Sequence, residues 1–400
     1  MSTPSPLSVT DRRETEAAAD TRRRWCRGTR LLVAASLAWL AFVLLHIALA
    51  GRLWLWQLFE LAPPLMFLAV PALLLAGIPL LRIVRDRVPR SAKWWIVLTL
   101  SASVAVSAGR TGINVSALGA EPAVPPGAVR VMAWNTEYWN QFDRGGLDRL
   151  YPFLRGQRAD VYLLSEHASF SGKYYRYPIR DSVRLRREFP GFHMAATGEL
   201  LTMSRYPIVA SRPVGTTRGI PDERNGWTEF WSDKALRTDL LVGGRTLSVY
   251  NVHIPVQLRV DVNPFSGRFW DWLQESLPWR QGQYDALEQD IRANPNPILV
   301  AGDFNGSPTH MGFDWRGQGL RDAMGAGGPL FPASWPERGS VLPLPPVWRL
   351  DWTFVSPGVR VHRYAFRSAR DAGSRDPGKK WRALSDHRTQ NLIISLGDSR

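Results

Sequence analysis

The chain has a single cysteine, Cys26, in 400 residues. An intrachain disulfide is therefore excluded. Its seven histidines are scattered, and no His/Cys cluster has the spacing that holds zinc, which argues against a zinc hydrolase. No internal repeat is apparent. Acidic residues are in deficit, 35 against 50 basic ones, for a net charge of +15. That balance suits an anionic substrate or an anionic membrane surface, and equally a basic chain kept soluble by its arginines. Against these shortages stand a 45% apolar fraction and 18 tryptophans, enough for one large domain with an appendage.

The appendage is N-terminal. Residues 1–30 are polar, Arg-rich and expected to be disordered. Residues 31–109 contain three apolar segments. Leu31–Ala50 runs 20 residues without a formal charge, long enough to span a bilayer. Leu53–Leu81 is the second, with Glu60 near one end and prolines at 63, 64, 71 and 79. Trp94–Gly109 is the third, 16 residues rich in Ala and Ser and short for a span. Ala48-Leu49-Ala50 looks like a signal-peptidase site, but the run before it is long and further apolar segments follow, so an uncleaved anchor is expected.

Basic residues set the expected orientation. Arg12, Arg13, Arg22, Arg23, Arg24, Arg27 and Arg30 precede the first segment. Only Arg52 lies in the next loop. Arg82, Arg85, Arg87, Arg90 and Lys93 lie before the third. The N-terminus and second loop are thus expected in the cytoplasm. With three spans, the chain is a multi-pass inner-membrane protein whose large domain lies outside the cytoplasm. If the third segment only lies on the membrane, that domain is inside. Residues 110–127 form a linker ending in Pro122, Pro125, Pro126 and Gly127. Residues 128–400 form the large domain.

Within that domain, strand-like runs occur at Val129–Trp134, Val161–Leu164, Leu200–Met203, Leu236–Val242, Leu247–His253, Ile298–Val300, Trp352–Val355 and Asn391–Leu396. Helical spacing appears at Gln283–Ala293. Composition alone yields an α/β class. The polar residues at the strand ends carry more. Ile298–Val300 leads into Gly302-Asp303-Phe304-Asn305-Gly306, where a carboxylate and a carboxamide two residues apart share one side of the strand's end. Val131–Trp134 ends on Asn135. Val161–Leu164 leads to Ser165-Glu166. Val249–Val252 delivers His253. Leu350-Asp351-Trp352 and Ser385-Asp386-His387 follow.

Six such motifs in this order resemble the endonuclease/exonuclease/phosphatase superfamily, over residues 128 to 396. The resemblance implies a four-layered α/β sandwich, two mixed sheets flanked by helices. It implies hydrolysis of a phosphate ester with a hard divalent cation, Mg²⁺ with Mn²⁺ as a substitute. Glu166, Asn135 and Asp386 resemble the family's metal-binding residues. Asp303 resembles the carboxylate that orients the attacking water, and Asn305 the amide that contacts phosphate. His387 resembles the imidazole that exchanges a proton or binds a phosphate oxygen, with Asp351 as its orienting acid. His253 resembles the second histidine, and Glu199 its partner.

Two segments bear on the substrate. Val260–Trp279 is rich in aromatics and reads either as a loop dipping into a lipid interface or as a lid on the domain. Arg363–Arg382 carries seven basic residues, which either recruit phosphate or are simply solvated. The expected activity is a membrane-anchored phosphoesterase on a lipid-linked or envelope phosphate. A nuclease acting on nucleic acid, and a non-catalytic module that kept the fold, are the alternatives. The sequence leaves the oligomeric state open.

Overall fold

The central strands are buried at almost every position, and because successive side chains point to opposite sides they fill a core on each face. In the computed structural model, Val129, Val131 and Ala133 face one core, while Met132 and Trp134 face another. The structure describes residues 25–83, 88–140, 146–171, 175–179, 181–221, 227–259, 262–325, 327–337, 345–369 and 383–397. It divides into two units, Met1–Ala48 with Leu65–Thr111, and Leu49–Pro64 with Gly112–Arg400.

The second unit contains strands β1 (Val129–Asn135), β2 (Val161–Ser165), β3 (Ala168–Ser171), β4 (Tyr175–Pro178), β5 (His193–Thr197), β6 (Leu200–Ser204), β7 (Ile208–Gly215), β8 (Asp233–Val242), β9 (Arg245–His253), β10 (Ile298–Asp303), β11 (Arg321–Asp322), β12 (Asp351–Val355), β13 (Val359–Arg367) and β14 (Thr389–Leu396). One six-stranded sheet runs β13-β14-β1-β2-β6-β5 and the other β11-β12-β10-β9-β8-β7. Each is mixed, because β1 pairs with β2 and β10 with β9 in parallel while their other neighbours are antiparallel. The central core between the sheets joins Val131 and Leu163 to Leu247, Val249 and Leu299. Outside the first sheet, Trp134 and Tyr162 pack on Leu150 and Leu154 of the helix Gly146–Gly156. Outside the second, Tyr250, Val300 and Phe354 pack on Tyr284, Leu287 and Ile291 of the helix Gly267–Arg292. This is the expected four-layered sandwich.

The first unit holds three helices long and apolar enough to cross a membrane: Arg27–Leu49, Met66–Ile83 and Arg90–Arg110, the last running through a final 3-10 turn. Val33, Ala92, Ile96 and Leu100 pack together inside it. Leu31, Leu73, Leu80, Trp94 and Leu98 are exposed apolar side chains, the pattern of a lipid-facing surface.

The structure refines several boundaries. The second apolar segment does not begin at Leu53, since its helix starts at Met66 after Pro63-Pro64. Residues Leu49–Pro64 form short turns that fold with the large domain. The aromatic segment Val260–Trp279 is mostly the N-terminal half of the long helix, with Phe269, Leu273 and Trp279 buried against the domain. The helix expected at Gln283–Ala293 thus begins at Gly267. The linker residue Asn114 is tied to the domain, its backbone N–H donating to the Leu330 carbonyl at 2.8 Å. Of the basic segment, Arg370, Arg375, Lys379, Lys380 and Arg382 lie outside the described residues.

Candidate active site

Strand register brings the site together. In the second sheet, Asp303 at the end of β10 lies opposite His253 of β9 on one side and Asp351 of β12 on the other. In the first sheet, Asn135 ends β1 beside Ser165 of β2, and Glu166 follows. The two sheets face each other, so these ends converge. Gly302 is required here. Its φ is +150°, and a Cβ would collide with the Val252 carbonyl oxygen of the adjacent strand.

Two histidine–acid pairs are buried in the site. His387 Nδ1 meets Asp351 Oδ2 at 2.8 Å, and His253 Nδ1 meets Glu199 Oε1 at 2.9 Å. In each ring the second nitrogen faces Asp303: Nε2 lies 3.5 Å from Asp303 Oδ2 for His387 and 3.9 Å for His253. Asp303 is held by three further contacts within its own neighbourhood. The Asn305 backbone N–H donates to Oδ1 at 2.8 Å, the Asn135 amide donates to Oδ2 at 3.0 Å, and Phe304 is pinned through its N–H to the Leu350 carbonyl.

The Asn135 carboxamide has a defined orientation. Its oxygen accepts from the Glu137 N–H at 3.0 Å, so its nitrogen must face the carboxylates. That nitrogen bridges Glu166 Oε1 at 3.1 Å and Asp303 Oδ2 at 3.0 Å. As placed, the Asn135 amide bridges the two carboxylates expected to work beside it. Glu166 Oε2 also accepts from the Tyr138 N–H at 3.0 Å. Asp386 takes the Trp335 indole N–H at 2.9 Å on Oδ2. The Asn305 side-chain nitrogen donates to the Ile254 carbonyl at 2.8 Å. Glu166 and Asn305 both adopt positive φ, +57° and +44°, as do Glu137, Tyr138 and Trp139. Non-glycine residues in this region carry strain of about 1–3 kcal/mol each, and such strain concentrates at functional sites.

The electrostatics are those of crowded carboxylates. Burial, reinforced by Glu199 and Asp386, pushes the Glu166 carboxyl up, although His253 and Asn135 oppose it. Burial and the Asp351 charge also push the Asp303 carboxyl up, against His387 and His253. Burial alone would lower His387, but Asp351, Asp303 and Asp386 outweigh it and hold the imidazole well above its ordinary value. Burial disfavours the Glu199 charge too, yet His253 and Lys234 bring that carboxyl down to about 2. Lys234 was not expected from the sequence. Its Nζ sits 2.5 Å from Glu199 Oε1, with both side chains almost fully buried. A lysine at the start of an apolar strand, after Asp233, was the only signal.

A cavity of about 380 Å³ opens over these groups. Its floor is Asn135, Glu166, His253, Asp303, Asn305, Asp386 and His387, while Glu199 and Asp351 stand behind the two histidines. Its other walls include Leu61, Val256, Leu258, Trp335, Trp348 and Leu350. Among the described residues, none that lines it is Lys or Arg. Asp303, Asp351 and His387 also present ligand atoms within 4.8 Å of one another, but His387 Nδ1 is already engaged by Asp351. Among the described residues, the cavity-facing carboxylates of Glu166 and Asp386 offer oxygen donors for a cation. Hard oxygen donors of this kind fit a hard divalent cation.

A family model described as "Endonuclease/Exonuclease/phosphatase family" matches residues 132–387. Among solved structures, an endonuclease/exonuclease/phosphatase from Bacteroides vulgatus is similar at 17% identity and a TM-score of 0.45, covering 68% of this chain and 99% of that one. Sphingomyelinase C from Streptomyces griseocarneus is similar at 17% identity and a TM-score of 0.47, covering 66% and 99%. Humanized D. rerio TDP2 is similar at 16% identity and a TM-score of 0.43, covering 68% and 100%. No curated protein matches the sequence.

Proposed function

Because the chain belongs to the endonuclease/exonuclease/phosphatase family, we propose that it is a membrane-anchored, divalent-cation-dependent phosphoesterase acting on a lipid-linked phosphate ester outside the cytoplasm. The carrying observation is the cavity. Its floor gathers the ionisable groups of phosphoester hydrolysis, its other walls are largely apolar, and among the described residues no Lys or Arg lines it. A nucleic-acid enzyme depends on Lys and Arg against a run of phosphates. A headgroup with an attached apolar moiety needs none.

Glu166 and Asp386, with Asn135 beside them, would hold the cation. Bound Mg²⁺ would neutralise charge on the phosphoryl oxygens and lower the barrier to attack by water. The remaining steps belong to the side chains. Asp303, fixed by the Asn305 N–H and the Asn135 amide, aligns a water and accepts its proton as the oxygen–phosphorus bond forms. His387, oriented by Asp351, binds a phosphoryl oxygen through Nε2. His253, paired with Glu199, which raises its pKa against the effect of burial, gives a proton to the leaving alkoxide as the ester P–O bond breaks. Water is consumed, and an alcohol and a phosphate product leave.

The orientation rests on the basic residues before Leu31 and between Leu81 and Trp94, which favour the cytoplasm for those segments. The test is a hydrolysis panel with full-length protein in detergent and Mg²⁺, comparing a phospholipid, a soluble aryl phosphodiester and plasmid DNA. Faster turnover of phospholipid than of DNA, abolished by EDTA, is expected. Preferential cleavage of DNA would replace this reading with a nuclease.

A further inference from the structure

The segment Leu49–Pro64 lies in sequence between two helices of membrane-spanning length, yet it folds with the large domain. The contacts are built, not incidental. Gln57 is 1% exposed and its amide donates to the Leu273 carbonyl at 2.6 Å. Thr309 donates through its hydroxyl to the Glu60 carbonyl at 2.6 Å. The Trp348 indole N–H donates to the Leu61 carbonyl at 2.9 Å. Gln281 donates to the Gly51 carbonyl at 2.6 Å. Glu60, 2% exposed, takes the Gly51 N–H at 2.6 Å and feels the charge of Arg280. Arg280 in turn donates to the Asn305 carbonyl at 3.1 Å and to the Pro255 carbonyl. The segment thereby braces the loops that carry Asn305 and follow His253, and Leu61 supplies part of the cavity wall.

Resting on the phosphoesterase reading, we propose that Leu49–Pro64 is a working part of the active site, and that Leu61 with Trp348 receives the aliphatic portion of a membrane lipid whose phosphate lies on Asp303 and His387. The occupant follows from the chain path. Leu61 precedes Met66, the start of a membrane-length helix, by five residues, a reach of at most about 18 Å. The apolar wall is thus tethered close to where such a helix enters the bilayer. Leu61 and Trp348 line the same cavity as Asp303 and His387, so one molecule can occupy both. A further consequence concerns topology. A loop and a domain that form one folded unit lie on the same side of the membrane. The two intervening helices, Met66–Ile83 and Arg90–Arg110, then cross either both or neither, and both are long and apolar enough to cross.

The test uses the full chain in dioleoyl phospholipid vesicles containing a phosphatidate with a diazirine in one acyl chain. After irradiation, label is expected on the peptide containing Trp348, and Leu61→Glu should reduce it at least fivefold. In a parallel arm, Leu61→Ala should lower kcat/KM for phospholipid, through KM, at least fivefold more than that for a soluble aryl phosphodiester. Unlabelled Trp348 peptide in the wild type, unchanged label in Leu61→Glu, or equal loss on both substrates would overturn the proposal. Labelling without any turnover would leave this inference standing and remove the hydrolase reading instead.

Discussion

Asp351→Asn isolates the electrostatic role of one buried acid. Asp351 is fully buried, and its Oδ2 lies 2.8 Å from His387 Nδ1. An amide of the same shape keeps the packing and removes the charge. Hydrogen bonds to charged groups contribute about 1.5–3 kcal/mol. At about 1.36 kcal/mol per decade, that bond alone corresponds to a roughly 10- to 150-fold loss. If the amide also turns its nitrogen toward the ring, His387 is left in the wrong tautomer, a change that costs up to about 10⁴-fold where a histidine–acid pair carries the chemistry. We expect kcat to fall by about 10²–10⁴ while KM moves only a few-fold. Removing the Asp351 charge relieves its repulsion of Asp303 but also takes the partner from the buried His387 imidazole, so a thermal melt must separate lost activity from lost folding. The assay is steady-state hydrolysis with a thermal melt of each variant, extended to His387→Ala and the double variant. The double loss should be no larger than the greater single loss, since the two residues act as one unit. A double loss equal to the product of the single losses, or full activity in Asp351→Asn, would refute the pairing.

Other outcomes follow from the same geometry. Hydrolysis should vanish in excess EDTA and return with Mg²⁺ or Mn²⁺, and persistence in chelator would contradict the cation requirement read from Glu166 and Asp386. Lys234→Met leaves Glu199 buried without its cation, and breaking a buried pair of this kind costs about 3–5 kcal/mol, so a chemical-denaturation midpoint should drop markedly; an unchanged midpoint would mean that His253 alone satisfies Glu199. A reporter active only outside the cytoplasm should work when fused after Arg400 and stay silent when fused between Ile83 and Val88; the reverse pattern would place the domain inside.

The sandwich and its polar ends were legible because strand-end residues are set by local pattern. A buried apolar run of period two ending on Asn135, Glu166, His253 or Asp303 announces both the strand and the side chain it delivers. The long helix was misjudged for a local reason as well. Gly267, Pro278 and Gly282 are poor helix residues, and only packing of Phe269, Leu273 and Tyr284 against the second sheet overrides them. Lys234 and Leu61 were beyond local pattern. Lys234 matters through Glu199, 35 positions away, and Leu61 through Trp348, 287 positions away. The apolar run Leu53–Leu81 hid a change of role at Pro63-Pro64, since hydropathy does not distinguish a lipid-facing residue from one packed on a domain.

The central claim is hydrolysis of a membrane-resident phosphate ester by water aligned on Asp303. The most direct measurement follows release of the phosphorus-containing product from phospholipid vesicles by the reconstituted full-length protein in ¹⁸O-labelled water, comparing wild type with Asp303→Asn. Cation-dependent release with the label on the phosphate product, lost in Asp303→Asn, is predicted. Label in the alcohol, or undiminished release from the variant, would contradict the account.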